Sequence, residues 1–145
     1  MRPSIRKLAL SAALIAGVFS FGAAHAKEPI KFAAPLDYTA VYTFLTNEYA
    51  QGQKDYLRMI NEEGGLDGHI IEYLSSDTGN QPQRGIEAYN RALRDGAIWF
   101  DFLSTPVARA MVNRVLDDEV VMITAFHGRG DASDGETFPY VFPVM

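Results

Sequence analysis

The chain is 145 residues long, with 18 acidic against 13 basic side chains and a formal charge of −5. An acidic balance without basic clusters argues against nucleic acid or an anionic membrane surface as a partner. No cysteine is present, which excludes both a disulfide framework and a lipid-modified cysteine anchor.

Arg2, Arg6 and Lys7 precede an apolar run from Leu8 to Gly22, followed by Ala24-His25-Ala26 and the polar Lys27-Glu28-Pro29. Charged, apolar and small-residue segments in that order make a cleavable secretory signal peptide, with cleavage expected after Ala26. The apolar run falls short of the roughly 20 residues that a bilayer-crossing helix needs, so no stable membrane anchor is expected. All the acidic residues lie beyond the leader while Arg2, Arg6 and Lys7 leave with it, so the mature chain is the more acidic. Residues 27–145 suffice for one compact domain, and a second full domain does not fit.

Ile30 to Leu36 is a short apolar run ended by Pro35 and Asp37, which predicts a buried first strand. An aromatic-rich connection, Tyr38 to Asn47, leads to a helix in which Tyr49, Tyr56, Leu57 and Ile60 share one face. Gly64-Gly65 ends it, because a left-handed C-terminal residue suits glycine. Asp67-Gly68 predicts a turn, Ile70 to Leu74 a second strand, and Ser75 to Gln81 a polar loop that leads to Pro82 at the first position of a helix. Ile86, Tyr89, Asn90 and Leu93 form the face of that helix, which closes at Asp95-Gly96. The third strand, Ala97 to Leu103, is apolar apart from Asp101. It runs through Ser104-Thr105-Pro106 into a helix that buries Val107, Ala108, Met111, Val112, Val115 and Leu116. Asp117-Asp118-Glu119 reads as a solvated helix end. Val120 to Phe126 predicts a fourth strand, His127 to Glu136 a loop rich in Gly and Asp, and Tyr140 to Val144 a further strand.

Alternating strands and helices, with strands that are almost continuously apolar, imply an α/β fold: a parallel sheet with helices on both faces. Ligands of such sheets bind outside the carboxyl ends of the strands, where neighbouring connections depart to opposite faces. That selects three loops, Asp37 to Asn47, Leu103 to Pro106, and Ala125 to Asp131.

The run Ile60-Asn61-Glu62-Glu63-Gly64-Gly65-Leu66-Asp67-Gly68, then a strand and Ser76-Asp77-Thr78, resembles the periplasmic leucine/isoleucine/valine-binding family. The likeness continues through Pro82 and its helix, Asp95-Gly96-Ala97, the strand ending at Leu103-Ser104-Thr105, and Val121-Met122-Ile123-Thr124, and so covers residues 30–126. The resemblance implies the substrate-binding component of an ABC transporter, two lobes that close on a small ligand and present it to a membrane permease. Residues 27–145 would be most of the first lobe, with the second lobe absent, and the chain is expected to be a fragment or a truncated product. No cofactor is implied.

The resemblance also places a ligand carboxylate at Ser104 and Thr105. A hydroxyl and free N–H groups at a helix N-terminus favour an anion on chemical grounds too. Equally, Ser104 or Thr105 caps the helix ahead of Pro106. Where the family shows a small residue and a threonine after the fourth strand, this chain has Ala125-Phe126-His127-Gly128, a departure that leaves the ligand's identity open. Phe126 and His127 would narrow the pocket, although a lone loop histidine is more often simply exposed. Tyr42, in the aromatic loop, either walls the ligand side chain or packs on the sheet edge. The Arg129-Gly130-Asp131 tripeptide carries no weight in a loop of this composition.

No histidine or carboxylate spacing fits a metal site, and neither a G-x-S-x-G motif nor a Gly-rich phosphate loop after the first strand occurs, so no enzyme activity is expected. The function expected is solute binding for import, of a branched-chain amino acid, an amide or urea. A sensory domain of the same fold is the alternative, and an exported α/β enzyme a weaker one.

Overall fold

A computed structural model describes residues 27–125 and 134–144. Along them run β1 (Ile30–Leu36), α1 (Thr43–Glu62), β2 (Ile71–Asp77), α2 (Pro82–Arg94), β3 (Ala97–Asp101), α3 (Thr105–Asp117), β4 (Val121–Ala125) and β5 (Val141–Val144). The strands make one five-stranded sheet in the order β2-β1-β3-β4-β5, and every neighbouring pair is parallel.

Side chains alternate along β1, so one strand feeds two cores. Phe32, Ala34 and Leu36 point to the face covered by α1, where they meet Ala50, Leu57, Leu103 and Ala125. Ala33 points to the opposite face and joins Tyr89 of α2, Met111 and Val115 of α3, Phe100, Met122 and Val141. The expected helices on both faces are therefore present. α2 and α3 lie close together because Gly85 leaves room for Val107: a Cβ at Gly85 would sit 2.4 Å from Val107 Cγ1.

The punctuation read from the sequence has a hydrogen-bond basis. At the end of α1, Gly65 N–H donates to Ile60 O at 2.9 Å and Gly64 N–H to Asn61 O at 3.1 Å, with Gly64 at φ +106°. This is the paired closure that makes a left-handed glycine the usual helix stop. Asp67 and Gly68, both at positive φ, form the predicted turn, with Leu66 and His69 exchanging backbone hydrogen bonds across it. The Asn61 side chain then substitutes for a strand partner, accepting from Ile71 N–H and donating to Ile71 O, each at 2.8 Å. Pro82 is the first residue of α2, as expected.

Several expectations need correction. α1 begins at Thr43 rather than beyond Asn47, because the Tyr42 carbonyl already accepts the N–H groups of Leu45 and Thr46. Tyr56, placed on the buried face, is 61% exposed; the inward seam is Thr46, Ala50, Gln53, Leu57 and Ile60. In α2 the buried centre is Gly85, Ala88, Tyr89 and Ala92, against which Ile86 and Leu93 of the expected face pack half-buried. β2 runs on through Ser75, Ser76 and Asp77, whose ladder partners are Ala34, Pro35 and Leu36. β3 leaves the ladder after Asp101, although Phe102 and Leu103 remain buried. Asp118 is exposed, yet it does more than face solvent: it accepts the Tyr89 hydroxyl at 2.6 Å.

Candidate functional site: the crevice at the carboxyl edge of the sheet

β1 and β3 are neighbours, but the chain leaves β1 for α1 on one face and β3 for α3 on the other. Diverging connections open a crevice at this edge, which is where ligands of doubly wound sheets bind. Its walls are the segments 37–42 and 102–105, with the loop 78–81 beside the first of them.

The first wall is held from within by Asp37, which is fully buried. Its Oδ1 accepts the N–H groups of Thr39 and Ala40 at 3.3 and 2.8 Å, and its Oδ2 those of Val41 and Tyr42 at 2.7 and 2.9 Å. One carboxylate thus satisfies the donors that precede a helix with no side-chain cap of its own.

The same wall is clasped from β2 by Asp77. Asp77 Oδ1 accepts from Tyr38 N–H at 2.9 Å and Gly79 N–H at 3.0 Å, and Oδ2 from the Thr39 hydroxyl at 2.8 Å and Arg84 Nη2 at 3.0 Å. Burial acts to raise the Asp77 pKa, but the donors Tyr38, Thr39 and Gly79 and the Arg84 charge outweigh it and hold the carboxyl below its ordinary range. Thr78 adds a further tie, donating from both N–H and hydroxyl to Leu36 O.

The second wall is tied to the loop 78–81 through one side chain. Ser104, fully buried, is the N-cap of α3 and accepts from Val107 N–H, while its hydroxyl donates to Asn80 Oδ1 at 2.6 Å. Asn80 stands in the left-handed region at φ +57°, a conformation that asparagine tolerates better than most residues. The segments 37–42, 78–81 and 102–105 thereby form one continuous hydrogen-bonded rim.

Of the residues expected at the site, Ser104 is engaged as cap and tether, and Thr105 stands next to it, partly exposed, as the first residue of α3. Tyr42 is the N-cap residue of α1, half-buried, its ring packed on the cluster that contains Leu36, Leu103 and Ala125. Phe126 and His127 lie outside the described residues. The sequence alone does not mark Asp37, Asp77 and Asn80 as site residues. For the first two, the available signal was an aspartate directly after an apolar strand and another at the start of a turn-forming Thr-Gly-Asn. A concavity lined by Pro35, Ser76, Arg91 and Asp95 lies beside β2 and α2 rather than between β1 and β3. Among the described residues no group of three or more His, Asp or Glu is placed to hold a metal ion, and no helix is long and apolar enough to cross a membrane.

Comparison with known proteins agrees with this geometry. The family model described as periplasmic binding protein matches residues 29–145. The Leu/Ile/Val-binding protein homolog 3 of Brucella melitensis is 29% identical over 119 residues, 81% of this chain and 32% of that protein. Among solved structures, an ABC transporter permease from the Pseudomonas fluorescens group is 33% identical at a TM-score of 0.68, over 80% of this chain and 29% of that one. A fatty acid ABC transporter substrate-binding protein from Thermomonospora curvata is 28% identical at a TM-score of 0.68, over 79% of this chain and 28% of that one. The chain thus spans about a third of the length of the relatives it matches. With the parallel sheet, the switch-point crevice and a match over residues 29–145, this chain belongs to the periplasmic binding protein family.

Proposed function

We propose that this chain forms the greater part of the first lobe of an extracytoplasmic solute-binding protein, which delivers a small polar ligand to an ABC transporter permease. The observation that carries the reading is the rim between β1 and β3, whose walls are held in place by Asp37, Asp77 and the Ser104–Asn80 bond. Preorganised polar groups beside apolar surface are what a binding crevice requires. On this reading the N–H and hydroxyl of Thr105 take a carboxylate or another polar acceptor, and Ser104 holds the turn in place, its hydroxyl oxygen accepting from Val107 N–H and its carbonyl from Ala108 N–H. Tyr42 backs the apolar side of the ligand, and Phe126 and His127 shape the mouth. Residues 1–26 serve as the signal peptide, and the mature protein starts at Lys27.

Two measurements test this. The intact mass of the exported protein should correspond to a chain that begins at Lys27, and retention of the leader on a membrane-held product would overturn the location. Calorimetry of the full-length polypeptide against leucine, isoleucine, valine, acetamide and urea should find one of them binding with a stoichiometry of one. Binding that survives disruption of the rim by Asp77→Ala and Asn80→Ala together would remove the crevice from the site.

A further inference from the structure

β3 ends on a carboxylate that the crevice does not use. Asp101 is fully buried on the α1 face of the sheet. Its Oδ2 accepts the Tyr49 hydroxyl at 2.6 Å and the side-chain amide of Gln53, both from α1, and Gln53 in turn accepts the Tyr73 hydroxyl of β2 at 2.9 Å. Among the described residues its Oδ1 has no partner, and neither does the indole N–H of Trp99, two residues earlier on the same face. Phe32 and Ala34 of β1 and Ile123 and Ala125 of β4 belong to the apolar cluster on this face of the sheet. From β2 comes Tyr73, whose ring carries Lys54 Nζ of α1 at 5.4 Å, with Tyr38 beside it through Ser75. Among the described residues no cation pairs with the carboxylate. An ionised, unpaired carboxylate in such a cage requires water to reach Oδ1, whereas a proton on Oδ1 leaves both donated bonds to Oδ2 intact.

We propose that Asp101 is a buried proton-binding switch, neutral when α1 is fully seated on β3 and loosening that contact when it ionises. Burial pushes the Asp101 pKa up to about 6, against the smaller lowering effects of Tyr49 and Gln53. Burial and the adjacent carboxylate push Tyr49 up, and burial with Tyr38 pushes Tyr73 up, so both stay protonated donors throughout. The folded state therefore binds the Asp101 proton more tightly than the unfolded chain does. The stabilisation is complete below the ordinary carboxylate range and is lost as pH rises through about 6. Because α1 begins at the first crevice wall and β3 leads into the second, the switch acts on the spacing between them.

Trp99 is the chain's sole tryptophan and a built-in reporter. In this 145-residue chain its fluorescence should titrate with a midpoint near 6, and Asp101→Asn should abolish the transition. The variants His69→Gln and His127→Gln should retain it. Hydrogen exchange of the Tyr49–Leu57 amides, corrected for intrinsic rates, should lose roughly tenfold protection between about pH 5 and 7, a change worth about 1.4 kcal/mol. Should Asp101→Asn fail to fold, the carbon-13 carboxyl resonance of Asp101 in the parent protein decides. A carboxyl that titrates near 4, or a fluorescence transition that vanishes in a histidine variant and persists in Asp101→Asn, overturns the proposal.

Discussion

The backbone N–H of Tyr42 donates to Asp37 Oδ2 at 2.9 Å, so the residue that follows β1 also closes the turn that starts α1. Because Asp37 is fully buried and three further N–H groups share its carboxylate, Asp37→Ala strands several donors at once. The expected loss is roughly 2 to 4 kcal/mol in urea unfolding, the scale of unmet buried hydrogen bonds. Asp37→Asn should cost nearly as much, since an amide NH₂ would face N–H groups. A pair of variants within about 0.5 kcal/mol of the parent would show that the loop finds other partners.

Gly85 and Val107 set how closely α2 and α3 approach. A helical Gly→Ala change normally gains up to about 1 kcal/mol in propensity, but here the new methyl would lie 2.4 Å from Val107 Cγ1. Overpacking of this kind costs roughly 1 to 3 kcal/mol, so Gly85→Ala should be net destabilising. Adding Val107→Ala should relieve the clash, with a coupling of about 1 kcal/mol or more in a double-mutant cycle. Additive losses would mean that the helices simply separate.

What was legible in the sequence follows from where residue identity carries the information. β1 reads correctly from Ile30 to Leu36, because Phe32 to Leu36 is buried on both faces and apolar throughout. α3 reads correctly at Val107, Ala108, Met111, Val112 and Val115, where helical period and burial coincide. The Ser104 cap is also visible, as a serine ahead of Thr-Pro. The end of β2 is not, because Ser75, Ser76 and Asp77 are strand through their ladder with β1 on a sheet edge, and their own polarity suggests a loop. The phase of α1 is misjudged at Tyr56 because the inward position belongs to Gln53, whose partner Asp101 is equally polar and leaves no hydrophobic trace. In the crevice, Asp37 and Asp77 escape notice because most of their partners are backbone N–H groups, which carry no side-chain identity.

Asp77 and Asp101 should act on stability with opposite signs. The Asp77 carboxyl is held below its ordinary range, so its contribution is present above about pH 4 and is lost as pH falls further. Asp101, at about 6, contributes fully below the ordinary carboxylate range and loses its contribution as pH rises through about 6. Denaturant titrations should therefore show Asp77→Asn flattening the acid limb and Asp101→Asn flattening the slope between about pH 4 and 7. At pH 7 Asp101→Asn should be the more stable protein, by up to roughly 2 to 3 kcal/mol if no new strain arises. Parallel pH curves for parent and variants would sink both assignments.

Ser104 and Thr105 are adjacent hydroxyl residues with different surroundings, which makes them a controlled pair. Ser104 is fully buried, caps α3 and donates to Asn80, so Ser104→Ala removes a cap and leaves Asn80 Oδ1 without its partner. A loss of roughly 1 to 2 kcal/mol in stability is expected. Thr105 is partly exposed at the crevice, and none of the hydrogen bonds found for the rim uses its hydroxyl, so Thr105→Ala should leave the melting temperature near that of the parent. If that hydroxyl meets the ligand, affinity in the full-length protein should fall by roughly 1 to 3 kcal/mol, the cost of a buried polar group deprived of its partner. Melting temperature and calorimetric affinity must be measured on the same samples, because a loosened α3 turn lowers both, whereas a lost ligand contact lowers only affinity. Unchanged affinity in Thr105→Ala beside reduced affinity in Ser104→Ala would shift the ligand contact from the hydroxyls to the backbone N–H of Thr105, whose placement Ser104 fixes.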